Sequence, residues 1–84
     1  MLKVFLGPHS RKFLRKCETD VYSRIMKKIK ELPLNPFPTD VKRVVGRKEK
    51  VFRVRVGDYR MQYVIDYDKN EILISDIDKR PRAY

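Results

Sequence analysis

The chain has 84 residues, enough for one modest hydrophobic core and too few for two, so residues 1–84 read as one domain. Lys and Arg number 21 against 11 Asp and Glu, a formal charge of +10 that points to an anionic partner, nucleic acid first. The single cysteine, Cys17, excludes an internal disulfide, and neither it nor the lone His9 sits in a metal-ligand spacing, so no metal and no cofactor is expected. Met1 to Leu6 is too short an apolar run for a signal peptide, and no segment approaches the roughly 20 apolar residues of a membrane span. The basic residues are spread over the chain instead of forming one amphipathic helix, which weighs against a membrane surface. A soluble protein of a reducing cytoplasm is the expectation.

Leu2 to Leu6 predicts a first strand, closed by Gly7-Pro8. Ser10 is placed as the N-cap of a short helix through about Glu18, with Phe13, Leu14 and Cys17 on its apolar stripe. Cys17 is read there as packing, and His9 as a surface residue. Thr19 is placed as the cap of a second helix, in which Val21, Ile25, Ile29 and Leu32 recur every three or four residues. Pro33, Pro36 and Pro38 end it, since proline fixes φ and keeps the residue before it out of the α region. Val41 to Val45 predicts a short strand, and Arg47-Lys48-Glu49-Lys50 a charged loop.

The stretch from Val51 to Tyr63 carries most of the information. Gly57-Asp58 between two alternating runs reads as a hairpin loop, so Val56 faces Tyr59 and the ladder counts outward from there. Phe52 then meets Tyr63 and Val54 meets Met61 on one face. The other face receives Arg53 opposite Gln62 and Arg55 opposite Arg60. Like charges directly opposite destabilise a sheet, so a cationic face of this kind suggests an anion meant to lie on it. Ile65 to Tyr67 leads through Asp68-Lys69-Asn70 to a last strand, Glu71 to Ile77, before the closing Arg80-Pro81-Arg82-Ala83-Tyr84. The expected fold is α+β in two layers: a first strand, then a helical hairpin packed on one face of an antiparallel sheet of about four strands.

The chain resembles the RelE/ParE toxin superfamily, and within it the RelE branch of messenger-RNA interferases. The resemblance covers nearly the whole chain and rests on the two helices after a first strand, on Phe52 to Tyr63 with its Gly57-Asp58-Tyr59-Arg60, and on Arg80 with Tyr84 four residues on. It implies a RelE-like fold and a toxin that enters the ribosomal A site and cuts the messenger RNA there. By the same resemblance Arg53, Arg55, Arg60, Arg80 and Tyr84 are the catalytic set, and Arg80 with Tyr84 favours RelE over ParE. Arg47, Lys48 and Arg82 are further candidate RNA contacts. Some relatives carry lysine at the positions of Arg53 and Arg55.

Cutting RNA without a metal uses the adjacent 2′-hydroxyl as nucleophile and needs a proton acceptor, charge stabilisation at phosphorus and a proton donor for the leaving 5′-oxygen. Guanidinium forks match phosphate oxygens and stay charged, so the arginines suit the middle task. They are poor bases. No His, Glu or Asp accompanies them apart from Asp58 in the turn, which leaves Tyr84 as the one proton-transfer group of the motif, with a phenol that surrounding cations can acidify. The general acid and base stay unassigned between Tyr84 and an arginine.

Three functions are compatible with these residues: an A-site endoribonuclease, a ParE-like toxin that inhibits DNA gyrase, and a non-catalytic basic module that binds RNA or the ribosome. The resemblance also implies a small acidic RelB-like antitoxin that folds on binding, giving a heterodimer or heterotetramer.

Overall fold

The computed structural model describes residues 2–44 and 50–79. Lys3–Leu6 forms β1, Pro8–Lys16 forms α1, Thr19–Glu31 forms α2, and the strands Lys42–Arg43, Val51–Val56, Tyr59–Asp66 and Glu71–Lys79 form β2 to β5. Among the described residues these strands make one sheet in the order β1-β5-β4-β3-β2. β1 lies at one edge and β2 at the other, so the helical connection between them must cross the sheet, and it covers one face in doing so. The α+β two-layer arrangement is the expected one. The sheet has five strands and is mixed, because β1 joins β5 in parallel while the other pairs are antiparallel.

The core forms where the stripe of α2 meets the covered face. Val21, Ile25, Ile29 and Leu32 are buried together with Leu14 of α1 and with Val54, Met61, Tyr63, Ile72, Ile74 and Ile77 of the sheet. Both helices start before the expected caps, α1 by three residues and α2 by one. Gly7 is the N-cap of α1, and Pro8 takes the first turn, where its missing N–H costs nothing. Ser10 is fully buried and uses its hydroxyl elsewhere, donating to the Ile74 carbonyl at 2.8 Å, which also accepts from the Gly7 N–H at 2.9 Å. A Cβ on Gly7 would lie 3.3 Å from that carbonyl oxygen, so glycine permits the close seating of α1 on β5. Glu18 is the N-cap of α2, and Thr19 is its first helical residue.

β5 serves two faces because of one extra residue. Tyr63 pairs with Ile74 but Gln62 pairs with Asp76, leaving Ser75 as a β-bulge. Regular alternation from Ile74 would turn Ile77 outward and Asp78 into the core. Burying Ile77 is worth about 2 kcal/mol, and an unpaired buried carboxylate costs several kcal/mol on the order of its desolvation, so the bulged register wins. Ser75 Oγ donates to the Gln62 carbonyl at 3.2 Å across it.

The turns follow their residues. Gly57 adopts φ 59°, the positive value a two-residue hairpin needs at its first position. Asn70 adopts φ 58° after the Asp66 carboxylate accepts the Lys69 N–H, and its carbonyl accepts the Lys3 N–H at 2.9 Å, tying β1 to the last turn. The proline segment is fixed from the sheet: the Tyr63 hydroxyl donates to the Pro36 carbonyl at 2.6 Å, and Phe37 packs edge-on against Phe52 at 5.1 Å.

Burial pushes the Tyr63 phenol up to about 12, with the Asp40 carboxylate and Tyr67 adding to it. The folded state therefore holds this proton more tightly than the unfolded chain, whose phenol titrates at about 10. The stability involved is complete below pH 10 and lost as the pH rises toward about 12. Tyr63→Phe is expected to lose about 1 kcal/mol at neutral pH with the hydrogen bond to Pro36. In denaturant titrations across the alkaline range, its deficit relative to wild type should shrink above pH 10. A deficit independent of pH would contradict this account.

Candidate functional site

The face opposite the helices is best described by its cross-strand rows. Arg55, Arg60 and Asp78 form one row, and Lys42, Arg53, Gln62 and Asp76 form the next. Beyond the bulge a third row is apolar throughout, running Val51, Val64, Leu73 and Phe5 across four strands. The hairpin register Val56 to Tyr59 and Phe52 to Tyr63 is the one derived from the sequence, and it brings Arg53, Arg55 and Arg60 to one face. Arg55 is exposed, while Arg53 and Arg60 are half-buried. Tyr59 and Tyr63 lie on the other side as packing groups: Tyr63 is fully buried, and Tyr59 packs edge-on against Phe13 at 5.6 Å.

Three polar members of this face, Lys42, Asp76 and Asp78, were not anticipated. Lys42 stands opposite Arg53, a placement that needs the register of β2, for which no turn signal exists in the sequence. Asp78 is the larger correction, because a carboxylate does accompany the arginines: Arg60 Nε donates to Asp78 Oδ1 at 2.9 Å. Counting by twos from Ile74 assigns Asp78 to the core; only the bulge carries it outward. The polar pair Ser75-Asp76 inside an Ile-rich strand was the available signal for that slip. Arg47, Lys48, Arg80, Arg82 and Tyr84 lie outside the described residues.

The pair is half-exposed, with 26% of the Arg60 and 45% of the Asp78 side chain accessible, so it contributes about 0–1 kcal/mol to stability. Its effect is on geometry. Arg55 and Arg60 face each other across the ladder, an arrangement disfavoured by charge repulsion, and Asp78 counters it from the far side of Arg60. Among the described residues Arg53 and Arg55 have no ion pair or side-chain hydrogen bond. Guanidinium groups in general can pair with phosphate oxygens through two parallel N–H donors. Among the described residues no group of His, Cys, Asp and Glu can hold a metal, and no helix is long and apolar enough to cross a membrane. His9 is exposed at the start of α1, and the Cys17 thiol donates to the Leu14 carbonyl at 3.5 Å beside the core.

A helical pair laid over one side of a small sheet, with a cationic patch on the other, is the build of the small toxins of type II toxin-antitoxin systems. Residues 8–84 match the family model described as the ParE toxin of the type II toxin-antitoxin system parDE. A candidate RelE1 toxin of Methanocaldococcus jannaschii is 34% identical over 87 residues, spanning 82% of this chain and 96% of that protein. Among solved structures, the archaeal RelE-RelB complex from Pyrococcus horikoshii OT3 contains a chain that superimposes with a TM-score of 0.84 at 27% identity, with 98% of each chain covered. The isolated Escherichia coli RelE toxin has the same fold, with a TM-score of 0.83 at 18% identity over 99% of this chain and 88% of that one. The chain belongs to the RelE/ParE superfamily and is a type II toxin of the RelE family.

The opposed arginines make a stability test. Arg55→Glu converts a repulsive cross-strand pair into an attractive one and is expected to stabilise the fold by about 0.5 kcal/mol, or about 2–4 °C in Tm. Affinity for RNA should fall in the same variant, with a shallower dependence on salt, as measured by titration at several salt concentrations. Equal or tighter RNA binding by Arg55→Glu would show that Arg55 makes no favourable contact with RNA.

Proposed function

We propose that this toxin is a ribosome-dependent endoribonuclease that cleaves messenger RNA in the A site through attack of a 2′-hydroxyl on the adjacent phosphodiester. The observation that carries the reading is the row pair of Arg55 with Arg60 and Arg53 with Lys42 on one open sheet face. As the 2′-oxygen bonds to phosphorus and the 5′-oxygen leaves, negative charge grows on the non-bridging oxygens. Fixed guanidinium groups stabilise that charge more than the ground-state diester, which lowers the barrier. The resemblance adds Arg80 to this set and gives Tyr84 the task of taking the 2′-proton, orienting the nucleophile or stacking on a base. Arg47, Lys48 and Arg82 serve as outlying RNA contacts. Asp78 is engaged by Arg60, and arginine is a poor base, so the protein supplies little proton transfer of its own. The ribosome contributes what is missing by holding the message in reactive geometry.

Silencing by an acidic RelB-like antitoxin follows the same electrostatics, and RelE toxins of Pyrococcus horikoshii and Escherichia coli have been crystallised with RelB. A heterodimer or heterotetramer in the cytoplasm, where the ribosome is, is the corresponding assembly. One observation favours a second reading: the matching family model is that of ParE, which fits a toxin inhibiting DNA gyrase by binding it. The terminal Arg80 and Tyr84 pair favours the nuclease.

Sequencing the 5′ ends of messages after induction should show cuts within translated codons. With purified ribosomes, Arg53→Ala and Arg60→Ala are each expected to lower cleavage about a hundredfold. Naked RNA should be cut slowly or not at all. Tyr84→Phe should be slow as well, and full activity in that variant would remove Tyr84 from proton transfer. Efficient cleavage without ribosomes, or gyrase inhibition with messages intact, would overturn the assignment.

A further inference from the structure

On a protein of charge +10 that is read as a binder of polyanions, a carboxylate at the border of the cationic patch works against affinity. Asp78 stands there nonetheless, and it is delivered by a specific device, the extra residue Ser75 in β5. Its exposure makes it a weak stabiliser of the fold. Burial of Ile77 accounts for the bulge, but neither RNA affinity nor the small contribution of the ion pair accounts for a carboxylate at this position, which leaves orientation.

We infer that Asp78 is a positioning residue: by accepting the Arg60 Nε–H at 2.9 Å it holds the Arg60 guanidinium beside Arg55, so that the two forks meet one phosphodiester together. The inference rests on the nuclease reading proposed above and assigns a residue to that same site. Arg60 is flanked in its row by Arg55 on β3 and Asp78 on β5. Repulsion from Arg55 pushes the Arg60 side chain toward β5, and the carboxylate fixes it there at a defined distance and plane. Two cations can then share one face at a fixed separation. Preorganisation of this kind acts on the rate at which bound RNA reacts and leaves the binding itself little changed.

The sign of the binding change separates this role from a purely electrostatic one. Removing a negative charge from the face should leave ribosome affinity unchanged or tighter, and on charge alone cleavage should hold or improve. Positioning predicts the reverse for the rate. Asp78→Ala, assayed in single turnover on saturating programmed ribosomes, is expected to cleave on the order of tenfold more slowly than wild type while binding at least as well. Asp78→Glu, which keeps the charge and the acceptor, should recover most of the rate. In an Arg60→Ala background, Asp78→Ala should cause no further loss, because the group it positions is gone. The Arg60 Nε–H signal in nitrogen-edited NMR should be protected in wild type and broadened by exchange in Asp78→Ala.

Asp78→Ala cleaving as fast as wild type would overturn the inference. So would losses from Asp78→Ala and Arg60→Ala that simply multiply, or an Arg60 signal that does not change. If wild type itself leaves ribosome-bound messages intact, the nuclease reading fails instead, a result distinct from any of these.

Discussion

The pairing of β4 with β5 organises this protein, and the single residue by which the two strands fall out of step organises its surface. Before Ser75, β5 contributes Ile72 and Ile74 to the core; after it, Ile77 continues the core and Asp78 faces outward. The Ile74 carbonyl at the slip accepts both the Gly7 N–H and the Ser10 hydroxyl, so the seating of α1 on the sheet depends on the same local geometry. Core, helix placement and the composition of the open face are thus coupled through one bulge. A bulge next to a functional surface is a common way for a sheet to re-aim a side chain.

The open face is graded along the strands. At the hairpin end are Arg53, Arg55, Arg60 and Lys42; beyond the bulge comes the apolar row of Val51, Val64, Leu73 and Phe5. The cationic end is where the fold accepts a local loss, since opposed arginines weaken the ladder they sit on. That loss is affordable because the other side of the same strands is well packed, with Val54, Met61 and Tyr63 at 1%, 0% and 0% exposure. The edges are managed as well: β2 is two residues long and both are basic, which discourages pairing with another chain at that edge.

Much of the fold was legible because its signals are local. The α2 stripe is set by helical spacing, and the β3–β4 register by Gly57-Asp58 and strict alternation on both sides of it, which is why Arg53, Arg55 and Arg60 could be assigned to one face by counting. The cap of α1 was misplaced for a nonlocal reason. Ser10 has the chemistry of a cap, yet its hydroxyl satisfies a carbonyl on β5, 64 residues away in sequence. The same limit hid the parallel β1–β5 pair, the partner of Lys42, and Asp78.

By itself the sequence determined the charge of the protein, the amphipathic helices, the hairpin and the clustering of three arginines, since each of these depends on neighbours a few positions apart or directly across a tight turn. Only the tertiary structure decided which strand lies at each edge, where β5 slips by one residue, and that Arg60 holds Asp78, 18 residues on, at 2.9 Å. Those outcomes follow from competition among distant groups for one core, in which burying Ile77 and keeping a carboxylate in water outweighed regular alternation.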